Sequence, residues 1–339
     1  MDTIAETVHR EEDHASATKL LISWKCPLLL SHVHPDGDAL GCIVGLKAML
    51  ASQGRESVAA VYETPSQHQC SLTGVDALHV ISGPDDPVFD RVDGVVVMDT
   101  CAFAQLTPVA DWLDKRHVPR IVLDHHTTRD LPADLHLIDT TASSATLMLY
   151  RWAKSAGWDI SGQAAKAIFE GLATDTGWFR FSNTTAEALR VAADLTELGV
   201  DLDETNQRIY NQDPASLLRF SAMALSGLEL HDDDSIALLC VTEQMTKDAN
   251  VTPDDTGYVV NHPLSVASVR VSGLLVDWGN GVTKCSFRSK GRVDVAKLAA
   301  SFGGGGHVRA AGARIEAPLE KAKLMVLEHI REQRGTNHA

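Results

Sequence analysis

The sequence is short of positive charge. Thirty Lys and Arg stand against 45 Asp and Glu, a formal net charge of −15 over 339 residues. That balance argues against a long nucleic-acid groove, which needs cations along its length. It still permits a short phosphorylated ligand held at one point, where bound divalent cations would offset the local acidity. Long apolar runs are missing as well. The longest are strand-like stretches such as Val95–Met98, far below the ~18 consecutive apolar residues of a membrane span, so no membrane association is expected. The stretch Met1–Ser16 is polar and acidic and does not read as a secretory signal. Cysteines 26, 42, 70, 101, 240 and 285 include no Cys-x-x-Cys pair. They read as reduced cytoplasmic thiols rather than a disulfide frame or a zinc site. There is no internal repeat, and Gly303–Gly306 is the one low-complexity tract.

What is present is His and Asp, gathered in short segments. These are His32-Val33-His34-Pro35-Asp36-Gly37-Asp38, Met98-Asp99-Thr100, Asp124-His125-His126 and Thr174-Asp175-Thr176-Gly177. Arg288-Ser289 and Gly303-Gly304-Gly305-Gly306-His307 follow toward the C-terminus. Most of the acids and imidazoles directly follow an apolar run, which places them at strand ends, where α/β proteins build their sites. Oxygen-rich ligands with a few imidazoles suit Mn²⁺ or Mg²⁺ better than zinc or copper.

The length points to two domains. Residues 28–200 alternate strand and helix patterns. Strands are expected at Leu28–Ser31, Ser57–Val61, Gly94–Met98, Arg120–Leu123 and Leu135–Ile138, short and apolar as buried parallel strands are. Helices are expected at Ala39–Ser52, Ala145–Ala156, Gln163–Leu172 and Thr185–Leu198, with Gly54, Gly157 and Gly199 just past three of them as caps. This alternation implies a doubly wound α/β sheet. We read residues 1–200 as this domain, 201–225 as a helical connector and 226–339 as a smaller α+β domain. In the latter, Ile236–Val241 is an expected strand, and Val266–Asp277 and Val282–Ser289 flank Trp278-Gly279-Asn280-Gly281, a hairpin signal. A helix at Val293–Phe302, a strand near Ala311–Ile315 and a helix at Leu319–Gln333 complete it.

Each segment has a plain structural alternative. Asp36 or Asp38 could simply cap the following helix. Asp99 could be a turn aspartate, and Asp175 could end a helix, although the macrodipole disfavours an acid there. Two adjacent histidines, His125 and His126, at a strand end are harder to explain by packing. Four glycines could be a linker, but a helix before and a strand after favour backbone N–H groups closing on an anion, with His307 and Arg309 beside them. Arg288 ends a strand and fits a bidentate phosphate contact, whereas Arg270 reads as solvated. Trp178, Phe179 and Phe181 read first as core and second as a stacking platform, with Arg180 between them able to reach a phosphate. The run His231–Asp234 reads as a solvated turn between a helix and a strand.

The ordered set HxxxDxD, DT, DHH, TDTG and GGGGHxxAAG resembles the DHH/DHHA1 phosphoesterases over roughly residues 25–335. Within that family the chain looks most like the stand-alone enzymes that act on oligoribonucleotides and on 3′-phosphoadenosine 5′-phosphate (PAP). The resemblance implies a DHH domain, a DHHA1 domain and a two-metal site between them. By motif position His32, Asp36 and Asp99 would hold one ion, and Asp38, Asp99, His125 and Asp175 the other, with Asp99 as bridge. In such sites the ions lie ~3.5–4 Å apart and activate a water for in-line attack. Asp124 would orient a ligand or the neighbouring histidine, and His126 would protonate the leaving oxygen or stabilise its charge. Ser289, Gly304, Gly305, Gly306, His307, Arg288 and Arg180 would contact substrate. Cys42 and Cys101 depart from the residues frequent in relatives, and sensitivity to thiol reagents is expected from them.

The expected activity is therefore hydrolysis of short RNA oligonucleotides to mononucleotides, together with PAP dephosphorylation, in the cytoplasm. Two divalent cations are expected, Mn²⁺ first, with Mg²⁺ or Co²⁺ as alternatives. No long duplex partner is expected, and a homodimer is compatible with an open sheet. The rivals are a cyclic or linear dinucleotide phosphodiesterase, a pyrophosphatase or exopolyphosphatase, and a non-catalytic nucleotide sensor.

Overall fold

A computed structural model gives the fold and describes residues 11–291 and 293–335. The first ten residues, part of the polar N-terminal stretch read above, lie outside the described residues. The chain divides into two compact units, Met1–Gln212 and Asp213–Ala339.

The first unit is built on six strands: β1 Pro27–Leu30, β2 Val58–Val61, β3 His79–Val80, β4 Gly94–Met98, β5 Arg120–Asp124 and β6 Leu135–Ile138. They are all parallel, in the order β3-β2-β1-β4-β5-β6. Its helices are α1 Glu11–Ser23, α2 Gly37–Ser52, α3 Gln67–Cys70, α4 Thr107–Arg116, α5 Ala145–Ala156, α6 Gln163–Asp175, α7 Ala186–Glu197 and α8 Leu202–Tyr210. Alternate strand residues enter opposite cores. Leu29, Val96, Met98, Ile121 and Leu123 pack with α1, α2, α5, α6 and α7. Leu28, Leu30, Val95, Val97 and Val122 pack with Trp112 and Leu113 of α4. Both faces are covered, which is why these strands read as continuous apolar runs rather than alternating ones. The doubly wound sheet matches expectation. The edge strand β3 was not legible: it is two residues long and both are exposed.

Helices α2 and α6 lie unusually close. Gly37, Gly41 and Gly45 recur every four residues along one face of α2. A Cβ on Gly41 would meet the Ala167 carbonyl at 2.5 Å, and one on Gly37 would meet Thr174 Oγ1 at 2.4 Å. That approach carries Asp175, the last residue of α6, to the start of α2, where Asp36 and Asp38 stand.

The second unit holds β7 Leu228–His231, β8 Ile236–Val241, β9 Val271–Gly279, β10 Val282–Ser289, β11 Gly305–His307 and β12 Ala310–Ile315. Their order is β11-β12-β10-β9-β8-β7, with β8 and β9 parallel and the other pairs antiparallel. Helices α9 Ala215–Ser226, α10 Glu243–Ala249, α11 Val295–Ala300 and α12 Leu319–Gly335 accompany it, with a 3-10 segment at Pro253–Ser265. The Asn280-Gly281 turn is present, with φ of 53° and 77°, as a type I′ hairpin requires.

Three expectations are corrected. The strand expected from Val266 begins only at Val271, which pairs with Ile236 at the start of β8. The His231–Asp234 run joins two strands rather than a helix and a strand, and Asp232 pairs with Arg331 at 2.7 Å. The 201–225 segment is not a separate connector. Ile209 of α8 is buried in the first unit, and Phe220 and Ala224 of α9 are buried in the second.

Candidate metal centre

The register of the parallel sheet sets the site. Leu30 pairs with Val97, so His32 stands level with Asp99, and Met98 pairs with Leu123, so Asp124 stands level with both. This is the carboxyl edge of the sheet beside the point where strand order reverses, between β1 and β4, where open α/β sheets bind ligands.

Asp99 is buried at 2% exposure and adopts a left-handed φ of 62°, a conformation seldom kept by a non-glycine residue without a reason. Its two carboxylate oxygens face different imidazoles: Oδ1 lies 3.4 Å from His125 Nε2, and Oδ2 lies 3.6 Å from His32 Nε2. Burial opposes its ionisation, but the hydrogen bonds to His125 and His32 and the nearby imidazole charge outweigh that and hold its pKa at about 2. The reciprocal effect appears on His125. Burial disfavours its charge, yet the Asp99 hydrogen bond and the Asp38 carboxylate push it up to about 10.

Asp36 and Asp38 divide two tasks. Asp36 caps α2, its Oδ1 accepting from the N–H groups of Asp38 and Ala39 at 2.9 and 3.1 Å, so the capping alternative is realised for this residue. Asp38 reaches across to the N-terminus of α5. Its Oδ2 accepts from Ala145 N at 2.6 Å, and its Oδ1 accepts from Thr146 N at 2.9 Å and Thr146 Oγ1 at 2.6 Å. Burial, then the charges of Asp99 and Asp175, nevertheless raise its pKa well above the usual carboxylate range. Burial first, and then the Asp36 and Asp99 charges, lift Asp175 to about 6 against the opposing pull of His125. Acids under this mutual repulsion lack positive charge.

Ligand atoms gather into three overlapping groups, each within 4.8 Å: His32, Asp36 and Asp99; Asp38, His125 and Asp175; Asp99, His125 and His126. All six residues expected as ligands are thus brought together. Asp124 Oδ2 is buried without a hydrogen-bond partner among the described residues, which is the condition a nearby bound cation would relieve. The donor set, carboxylate oxygens with imidazole nitrogens, fits Mn²⁺ or Mg²⁺.

The surrounding residues orient this set. His125 Nδ1 lies 3.2 Å from the Ala142 carbonyl, leaving Nε2 to the carboxylates. Asp124, fully buried at the end of β5, holds His126 through Nδ1 at 2.8 Å. Asn183 was not legible as a site residue. Its Nδ2 donates to both the carbonyl and Oδ2 of Asp175, each at 3.1 Å. Eight residues separate the two and no motif links them, so sequence offers no signal.

The substrate residues expected in the second unit fare less evenly. Arg288 is half-buried on β10, and its Nη1 donates only to the Phe287 carbonyl at 3.0 Å. No carboxylate among the described residues lies within ion-pair distance of it, and burial lowers its pKa. Ser289 points to the opposite face, as strand alternation demands. Its hydroxyl donates to the carbonyls of Val293 and Val308, so the expectation that it meets substrate is corrected. The glycine tract is not an open loop, because Gly305–His307 forms β11 against β12. Gly304 N donates to the Ala299 carbonyl at 2.9 Å, closing α11, and is not available to an anion. A Cβ on Gly304 would meet the Gly312 carbonyl at 2.2 Å and one on Gly306 the Ala310 carbonyl at 2.5 Å. These glycines admit a neighbouring strand. The His307 side chain lies outside the described residues. In the first unit Arg180 is exposed and its Nε donates to Gly177 O at 2.8 Å. Trp178 and Phe179 pack on Phe169, in line with the core reading, while Phe181 is 57% exposed. Cys42 and Cys101 are buried, and burial raises both thiols, Cys42 most. Ready attack by thiol reagents is therefore not expected at either.

Residues 28–174 match the N-terminal domain of the DHH family, and residues 234–333 match the DHHA1 domain. The chain belongs to the DHH/DHHA1 family of phosphoesterases. It is 33% identical, over 90% of its length and 89% of the relative's, to the bifunctional oligoribonuclease and PAP phosphatase NrnA of Thermus thermophilus. A crystal structure of an exopolyphosphatase-related protein from Bacteroides fragilis superimposes with a TM-score of 0.89 at 26% identity, covering 96% of this chain and 97% of that one. RecJ of Thermus thermophilus, crystallised with Mn²⁺, shares the fold at a TM-score of 0.54 and 17% identity, over 97% of this chain and 56% of that one. Among the described residues no helix is long and apolar enough to cross a membrane.

Proposed function

We propose that this chain is a Mn²⁺-dependent phosphoesterase that hydrolyses short oligoribonucleotides to mononucleotides and PAP to AMP. The observation that carries the reading is Asp99, whose two oxygens face His125 and His32 and so join two ligand groups. His32, Asp36 and Asp99 would hold one cation, and Asp38, Asp99, His125 and Asp175 the other. When bound, such a pair supplies an activated water and neutralises charge on the phosphoryl oxygens. His126 is the proton donor to the leaving oxygen, its ring held at Nδ1 by Asp124 beside the ligand groups. Arg288 binds a substrate phosphate, which supplies the counter-charge its half-buried guanidinium otherwise lacks. The name borne by the Thermus relative supports the choice of short RNA and PAP. The six free cysteines suit a reducing cytoplasm.

A Mn²⁺ assay comparing a ribodinucleotide, a pentanucleotide, PAP, a cyclic dinucleotide, pyrophosphate and polyphosphate tests this reading. Release of mononucleotides from the first two and AMP from the third is expected. Turnover confined to the cyclic dinucleotide, or to pyrophosphate and polyphosphate, would overturn it.

A further inference from the structure

Asp38 is tied to one helix by both of its oxygens. α5 starts at Ala145 behind its cap Ser144, and its first N–H groups meet the carboxylate. Oδ2 accepts once, from Ala145 N at 2.6 Å. Oδ1 accepts twice, from Thr146 N at 2.9 Å and from the Thr146 hydroxyl at 2.6 Å. Asp38, Ser144 and Thr146 are all buried.

The Thr146 hydroxyl is held in place from two sides. Its methyl fills the notch between α2 and α6: a Cβ on Gly171 would meet Thr146 Cγ2 at 2.4 Å, and one on Gly41 would meet it at 3.0 Å. That packing restricts χ1 of a β-branched side chain and leaves the hydroxyl on Asp38. A threonine has one hydroxyl proton, and here the carboxylate receives it. Ser144 Oγ, 2.9 Å away, therefore donates to Thr146, and itself accepts from Leu147 N at 3.0 Å. The result is a chain of donors ending on Asp38 Oδ1, each strengthening the next.

A carboxylate oxygen offers about two lone pairs. Both are taken on Oδ1. Oδ2 has one left, and it lies 3.9 Å from His125 Nε2, within the Asp38, His125 and Asp175 group. Asp38 can therefore give a cation one oxygen and not two. Asp36 is restricted in the same way, its Oδ1 accepting from Asp38 N and Ala39 N. Ca²⁺ takes about 6–8 oxygens and readily uses both from one carboxylate, whereas the octahedral cations need one oxygen per ligand.

We propose that Thr146 is a positioning residue that sets cation selectivity: its hydroxyl confines Asp38 to single-oxygen ligation and so disfavours Ca²⁺ relative to Mn²⁺. The proposal rests on Asp38 being a metal ligand and is independent of which phosphoester is cleaved.

Thr146→Ser and Thr146→Ala both lose the methyl and differ only in the hydroxyl. The metal-free wild type and both variants are titrated by calorimetry with MnCl₂, with CaCl₂, and with CaCl₂ in competition with Mn²⁺. Circular dichroism and thermal melts of the metal-free proteins check the fold. The wild type should bind Mn²⁺ more tightly than Ca²⁺. Thr146→Ala should weaken Mn²⁺ binding by about ten-fold, as loss of a group that orients a ligand does, and leave Ca²⁺ binding unchanged or tighter. Thr146→Ser should keep the wild-type ratio of the two Kd values. A role in helix packing alone would move Ser and Ala together, and both ions together. Equal losses for the two ions in Thr146→Ala, an unchanged ratio, or a Thr146→Ser variant that behaves like Thr146→Ala would overturn the proposal. A wild type that binds Ca²⁺ as tightly as Mn²⁺ overturns it without any variant and leaves the metal centre standing. A wild type that binds neither ion removes both.

Discussion

His125 Nε2 lies 3.4 Å from Asp99 Oδ1, with the Ala142 carbonyl accepting from the opposite ring nitrogen. The tautomer that this carbonyl favours is the one that presents a lone pair to a cation, so the imidazole is aimed before any ion arrives. Metal and proton compete for the same nitrogen.

Asp99→Asn keeps the shape of the side chain and removes its charge. Hydrolysis should fall by about 10³-fold or more, beyond the loss expected from a single transition-state donor. In the wild type, Mn²⁺ at 100 times its Kd should stabilise the folded protein by about 2.7 kcal/mol, read as a rise in Tm that EDTA reverses. In the variant that rise should largely disappear. A variant that kept both turnover and the Mn²⁺-induced shift would remove Asp99 from the site.

Asn183→Ala tests a residue with no motif behind it. Its amide fixes Asp175 by backbone and side chain together. Metal affinity should drop by roughly 10–100-fold, as for other residues that orient ligands, while saturating Mn²⁺ restores most of kcat. Titration calorimetry and a Mn²⁺ activation curve measure the two effects.

Asp86 offers a pH probe apart from the metal cluster. Burial raises its pKa, but the N–H groups of Ser82 and Val88, the His79 ring and the Ser82 hydroxyl outweigh this and hold it far below the usual carboxylate range. A depressed folded-state pKa means stability that is fully present above the unfolded value of about 3.9 and is lost as pH falls through the folded one. Asp86→Asn should therefore destabilise the protein at pH 7, and the deficit should shrink between pH 4 and pH 2. Urea titrations of both proteins across that range check the sign; a deficit that grew with acidity would contradict it.

Cys42 has no exposure and its thiol is pushed up by burial, whereas Cys70 is exposed. A mild alkylating reagent should modify Cys70 in the native protein and reach Cys42 only after denaturation, as read by mass spectrometry. Rapid native labelling of Cys42 would mean that the α2 core opens.

The sequence was most legible where chemistry and periodicity coincide. β4, β6, β8, β10 and α5 fall where expected because apolar runs end at Asp, Gly or a capping Ser144. The convergence of the six residues expected as ligands was legible because each ends or follows a buried element, and parallel register converts that sequence position into spatial neighbourhood. Ser289 misled because its face depends on strand phase, which two adjacent polar residues do not declare. The glycine tract misled because close approach of a strand and close approach of an anion demand the same residue. Asn183 and the Ala142 carbonyl were invisible because each acts through a contact that no spacing encodes.

The strand order β3-β2-β1-β4-β5-β6 has a consequence for biosynthesis. A nascent chain that has emerged only as far as Val92 carries His32, Asp36 and Asp38 but lacks every partner on β4, β5 and α6. Its central strand β1 is then itself an edge, open on the side that β4 will take. A cation held by these residues would therefore be captured only once the second half of the sheet had docked, and would then join two chain halves made at different times.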